Sequence, residues 1–131
     1  ADDPAHVNGS FVEQAAFIGM RDSGPLGRLV SETLTDLSIT PDEIVSAHTY
    51  HIALSLVRKR LGVTITDEFT AYSQLGAGLQ RYTLADFPIF PVYATWLSAF
   101  PDTDMIAQSL SCAESALAEI TAGIASLQPR N

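Results

Sequence analysis

Apolar and polar positions alternate along this chain in blocks that read as strand, helix, strand, helix, strand. Residues 16–20, Ala-Phe-Ile-Gly-Met, form an unbroken apolar run of strand length, and Arg21-Asp22-Ser23-Gly24-Pro25 follows as a turn. Ser23 is placed to cap a helix just ahead of Pro25, a residue suited to the first helical position. Leu26, Leu29, Val30, Leu34 and Leu37 then recur at spacings of three and four, the apolar stripe of an amphipathic helix. Thr40-Pro41 closes that segment, because the residue before a proline avoids the α region.

Residues 43–47 read as a second short strand, 50–61 as a second helix stopped by Gly62, and 63–66 as a third strand of mainly β-branched residues. This order, with short connections, predicts a parallel sheet covered by helices through right-handed crossovers, a doubly wound α/β lobe. The polar turns at 46–50 and 67–70 fall at the carboxyl ends of predicted strands, where open α/β sheets bind small ligands. The stretch 46–71 is therefore the most informative part of the chain.

Beyond residue 72 the pattern changes. Residues 73–78 form a glycine-containing loop, 79–84 an extended connection, and 87–96, Phe-Pro-Ile-Phe-Pro-Val-Tyr-Ala-Thr-Trp, an apolar strand. Pro88 and Pro91 cannot donate ladder hydrogen bonds, which makes it an edge or interrupted strand. A long helix opens at 101–104, with Thr103 as its cap and Asp104 favourable in its first turn, and runs to about Leu127. Along it Ile106, Leu110, Ala113, Leu117, Ile120, Ile124 and Leu127 repeat at alternating four and three. Such a stripe packs on a sheet of its own chain or forms a dimer seam, and the proline-interrupted strand is a thin support for it.

Composition narrows the function classes. At 131 residues and 47% hydrophobic content the chain can bury one core. A formal charge of −8, from 15 acidic and 7 basic residues, argues against a nucleic-acid surface, which needs clustered cations. The run Arg58-Lys59-Arg60 falls in the last turn of the second helix, where cations complement the carbonyl end of the dipole. Cys112 is alone, so neither an internal disulfide nor a cysteine metal site is available. It reads as a small buried or half-exposed residue of the long helix, in a reducing compartment. The polar N-terminus carries no secretory pattern, and no apolar run approaches the roughly 18 residues of a membrane span. A cytoplasmic fragment, excised from a longer protein and making no membrane contact, is the expectation.

With the elements placed, residues 14–127 resemble the carboxyl-terminal part of the effector-binding domain of LysR-type transcriptional regulators. The carriers are Phe17-Ile18-Gly19 as an entering strand, the capped helix after Ser23, and Ala53-Leu54-Ser55-Leu56-Val57 running into Leu61-Gly62-Val63-Thr64-Ile65. Asp67-Glu68-Phe69-Thr70-Ala71 is similar to the hinge segment of regulators that sense amino acids or opines, and Phe90-Pro91-Val92-Tyr93 to a strand returning to the other subdomain. Arg60-Leu61-Gly62 stands where the family carries a Gly-Leu-Gly turn. The resemblance implies a fold like that of type II periplasmic binding proteins, two α/β lobes joined by two crossing segments, with a small effector in the cleft. Residues 14–72 would be one lobe, 73–86 a crossover or hinge, and 87–128 the strand and long helix of an incomplete second lobe. The crossings would lie near 11–15 and 71–84. The chain would oligomerise with copies of itself, and DNA would be met only through a separate amino-terminal helix-turn-helix domain.

Candidate effector contacts are Ser23, Gly24, Ser46, His48, Thr49, Tyr50, Asp67 and Phe69. Backbone N–H groups at the start of the second helix suit a carboxylate, with Ser46, His48, Thr49 and Tyr50 adding direction; an ordinary cap by Thr49 is the plainer alternative. Ser23 and Gly24 form the analogous turn at the first helix. The Asp67 carboxylate suits an ammonium or guanidinium, or else caps Phe69 or Thr70. His48 and His51 straddle a helix start and lack an HExxH pattern, so neither a metal site nor any other cofactor is expected. No nucleophile elbow and no phosphate loop are present, which argues against an enzyme. A solute-binding fragment of a transport system shares the implied fold, and a small α/β enzyme is the third class.

Overall fold

The computed structural model describes residues 6–20, 24–74, 76, 78–89, 91–99 and 103–126. Within the unit Ala1–Phe90, the first element is β1 (His6–Val7), followed by α1 (Gly9–Gln14) and β2 (Ala16–Met20). Then come α2 (Gly24–Asp36), β3 (Asp42–Ala47), α3 (Tyr50–Arg58), α4 (Glu68–Ser73) and β4 (Thr83–Leu84). The arrangement is α/β with small parallel sheets.

The centre of the unit is β2. On one side it pairs in parallel with β3, from Ala16 opposite Asp42 to Met20 opposite Ala47. The register steps between Phe17–Glu43 and Ile18–Val45, so Ile44 is the extra residue of a bulge. On its other side β2 meets Val63: Ile18 N–H donates to the Val63 carbonyl at 2.8 Å, and Val63 N–H to the Ala16 carbonyl at 2.9 Å. The spatial order is therefore β3, β2, residue 63. Of these three segments, the first in sequence lies in the middle.

Successive strand residues point to opposite faces, and Phe17 and Ile18 show the consequence. Phe17 is buried with Val12 and Leu34, and Val30, Ile39, Val63, Ile65, Leu84 and Phe87 pack against them. Ile18 is fully buried with Ala47 and Ala53, under Met20, Leu56 and Val57. So α2 covers one face and α3 the other, as right-handed crossovers to the two sides of a central strand require.

Several expectations are corrected here. The third strand, 63–66, is reduced to the single bridge at Val63. The helix 50–61 stops at Arg58, and Arg60 rather than Gly62 takes the left-handed conformation, with φ 61°. Gly62 matters for a different reason, close approach: a Cβ there would collide with the carbonyl of Ala16, so only glycine lets Val63 reach β2. The crossing expected near 11–15 is mostly helix, α1, with Val12 in the core. The segment 67–71, likened to a hinge, is the cap and first residues of α4.

The segments on either side of this lobe come back together. β1 and β4 pair in parallel over two residues, His6 with Thr83 and Val7 with Leu84. The Phe11 and Tyr82 rings lie 5.4 Å apart at an interplanar angle of 47°.

The second unit is Pro91–Asn131. Its described residues 91–97 form no strand, which corrects the strand expected at 87–96; Phe90 lies outside the described residues. Both prolines lack a ladder donor, and among the described residues this run has no partner strand. Ile89, Val92, Tyr93 and Leu97 are accordingly exposed, Ile89 to 94%. The helix α5 (Thr103–Ser126) includes Thr103 as its first residue, not as its cap, and carries Asp104 in its first turn. Along the expected stripe Ile124 is buried, Ile106, Leu110 and Ile120 are half-buried, and Ala113 and Leu117 are exposed. Leu127 lies outside the described residues. Cys112 is exposed, where a buried or half-exposed position was expected.

Candidate functional site

Because β2, β3 and the Val63 bridge are all parallel, the turns that leave them open on one edge of the sheet. The chain departs β2 at Met20, β3 at Ala47 and the third segment at Thr66. The order β3, β2, residue 63 makes the gap between β2 and the third segment a point of topological reversal, the place where open α/β sheets bind ligands.

At the β3 exit, Ser46 still lies in the strand, half-buried and opposite Gly19. His48 and Thr49 are exposed, and Tyr50 is the half-buried first residue of α3. Thr49 has extended backbone, φ −138° and ψ 150°, and its Oγ1 accepts from the Ile52 N–H at 3.3 Å. It is a working N-cap. The first turn of any helix presents N–H groups without intrahelical acceptors, and Thr49 satisfies one of them.

The third exit is built differently. Asp67 caps α4 with both carboxylate oxygens: Oδ1 accepts from the Thr70 N–H at 2.8 Å and Oδ2 from the Thr70 hydroxyl at 2.6 Å. Each oxygen keeps a second lone pair, so capping leaves the carboxylate able to accept a further donor. Glu68 turns outward and pairs with Arg81 at 3.2 Å, and Phe69 is 37% exposed on α4. At the β2 exit, Ser23 lies outside the described residues. Gly24 opens α2 at φ 72°, with nothing within 4 Å of a Cβ position, so its requirement is conformational.

The structure thus brings His48, Thr49, Tyr50, Asp67 and Gly24 to one edge of one sheet, with Ser46 a step inside it. Among the described residues no three His, Cys, Asp or Glu side chains gather as a metal site.

The chain is similar in part to a known transcriptional regulator. Over 72 residues, 55% of the chain, it is 39% identical to the HTH-type transcriptional regulator DgcR of Pseudoalteromonas sp. The relative is a regulator. The matched stretch is 25% of that protein, so the chain spans about a quarter of its length. No protein-family model and no solved structure matches. Among the described residues, no helix is long and apolar enough to cross a membrane.

Sequence reasoning missed the threonines of the third exit. Thr64 Oγ1 donates to the Ile18 carbonyl at 2.9 Å, and Thr66 Oγ1 is buried without a hydrogen bond among the described residues. The signal was there: Val63 and Ile65 alternate with Thr64 and Thr66, so the hydroxyls share the side opposite the Phe17 cluster. The Asp67 cap on Thr70, by contrast, is one of the two alternatives the sequence offered for that carboxylate.

Proposed function

We propose that the chain is the effector-sensing part of a transcriptional regulator, of the LysR type that its sequence resembles. A small, amino-acid-like ligand occupies the carboxyl edge of the parallel sheet, facing an interlobe cleft of the type II periplasmic-binding-protein kind. DNA is contacted by a separate helix-turn-helix domain, and copies of the protein associate. The 39% identity to a helix-turn-helix regulator carries the regulatory reading.

The geometry at the edge supports the ligand class. The start of α3 offers N–H groups and the positive end of a helix dipole, which suit a carboxylate. The Asp67 carboxylate at the start of α4 suits an ammonium. One site that favours both charges of a zwitterion favours amino acids over simple acids or amines. Gly24, Ser46, His48, Tyr50 and Phe69 line the same edge in this reading, and Ser23, next to Gly24 in sequence, is a further candidate contact. Residues 14–72 act as one lobe, 73–86 as the connection, and 87–128 contribute to the other.

Thermal shift across a panel of amino acids, opines and aromatic acids tests it. A ligand at about 100 times its Kd adds about 2.7 kcal/mol and raises Tm by several degrees. Calorimetry on Thr49→Ser and Asp67→Asn then checks the site. Both replacements keep a capping side chain, so affinity is expected to fall for Asp67→Asn, which loses the charge, and to hold for Thr49→Ser. Equal affinity in wild type and Asp67→Asn would remove Asp67 from the site.

A further inference from the structure

The two helices that open on the carboxyl edge also meet at their far ends, and one side chain makes the contact. α3 leaves β3 at that edge and returns the chain to the other end of the sheet, where Val63 pairs with Phe17. α4 starts at the same edge once residues 64–67 have passed alongside β2. Arg58, the last residue of α3, then reaches Gln74, the C-cap of α4. Its Nη2 donates to Gln74 Oε1 at 2.7 Å and to the Gln74 carbonyl at 3.3 Å.

The guanidinium of the last residue of α3 therefore donates at the C-terminus of α4, where end carbonyls lack intrahelical donors and a cation complements the dipole. The contact is part-buried, and Arg58 Nε is buried with no acceptor among the described residues. An exposed arginine would turn Nε to water; here that hydration is given up while Nη2 holds Gln74, so the geometry is set by the contact.

We propose that Arg58 is a positioning residue that locks α4 to α3, so that a displacement of the Thr49 turn is carried to α4 and to the chain beyond Gln74. The nine residues of α3 span about 13 Å, a rigid arm between the turn and the lock. The regulatory sense of this device rests on the proposed ligand site, since a ligand at that edge would set both helices at once. The mechanical statement stands apart from it and is tested without ligand.

Amide hydrogen exchange on the full chain reads it. Thr49→Ala removes the α3 cap and is expected to speed exchange at the α4 amides of Ala71 and Gln74 by about fivefold when Arg58 is present. With Arg58→Met as background, the same substitution is expected to change those amides by less than about twofold, because the lock is already open. The amides of Ile18 and Val63 are the control, and a purely global loss of stability would move them by the same factor as α4. Such uniform movement, no response at α4 to Thr49→Ala, or an equal response in both backgrounds would overturn the proposal. Gln74→Ala gives the same comparison if Arg58→Met does not fold. Failure of every amino acid to bind would sink the ligand reading and leave this result intact.

Discussion

Two apolar runs, five residues at 16–20 and eleven at 87–97, end in opposite conditions. In the first, Ile18 is fully buried; in the second, Ile89 is 94% exposed. Hydrophobicity is not what separates them. The first run is flanked by β3 and Val63 and covered by α2 and α3, so backbone and side chains both find partners. The second carries Pro88 and Pro91 and, among the described residues, has no partner strand. An apolar segment becomes a strand when something accepts its hydrogen bonds, and residue type alone does not supply that.

The contrast is sharpest at Ile18. Ile18→Ala leaves a cavity between sheet and α3 and should cost about 3–4 kcal/mol, measured by urea unfolding. A loss under about 1 kcal/mol would mean that β2 is not the centre of the core. Next comes Gly62→Ala, whose methyl meets the Ala16 carbonyl; about 2–3 kcal/mol is expected, together with faster exchange at the Val63 amide. Thr49→Ala is an intermediate case, an exposed side chain with a backbone duty. It should cost about 1 kcal/mol, with Thr49→Ser recovering most of it. At the other extreme, Ile89→Ser should change stability by no more than about 0.5 kcal/mol, and a larger loss would show that the run has a partner in solution.

The lobe was readable because its signals are local. The apolar run at 16–20, the stripe from Leu26 to Leu34 and the Thr49 cap each specify their element within a few residues, and β2, α2, β3 and α3 formed close to where they were expected. α1 and α4, at six residues each, are too short for a periodic stripe. β1 and β4 have two residues each and exist only through each other. At the candidate site, Asp67 could be placed from sequence, but its use of both oxygens on Thr70 could not, since turn and cap begin with the same residue. The Arg58–Gln74 contact joins residues sixteen apart across two helices, and nothing local encodes it. The expected strand at 87–96 did not form, because Pro88 and Pro91 lack ladder donors and no described strand pairs with the run.

The placing of Val63 beside Ala16 and Phe17 also has a consequence on the ribosome. The most apolar strand of the lobe is made early, yet its second neighbour lies about 47 residues further on, about 2–10 s later at ordinary rates of synthesis. For that interval one flank of Ala16–Met20 stays unzipped, with its amides and carbonyls facing whatever else is near the nascent chain. A chaperone that favours short apolar stretches would have this segment within reach during that interval, and a slow codon between the two strands would lengthen the wait.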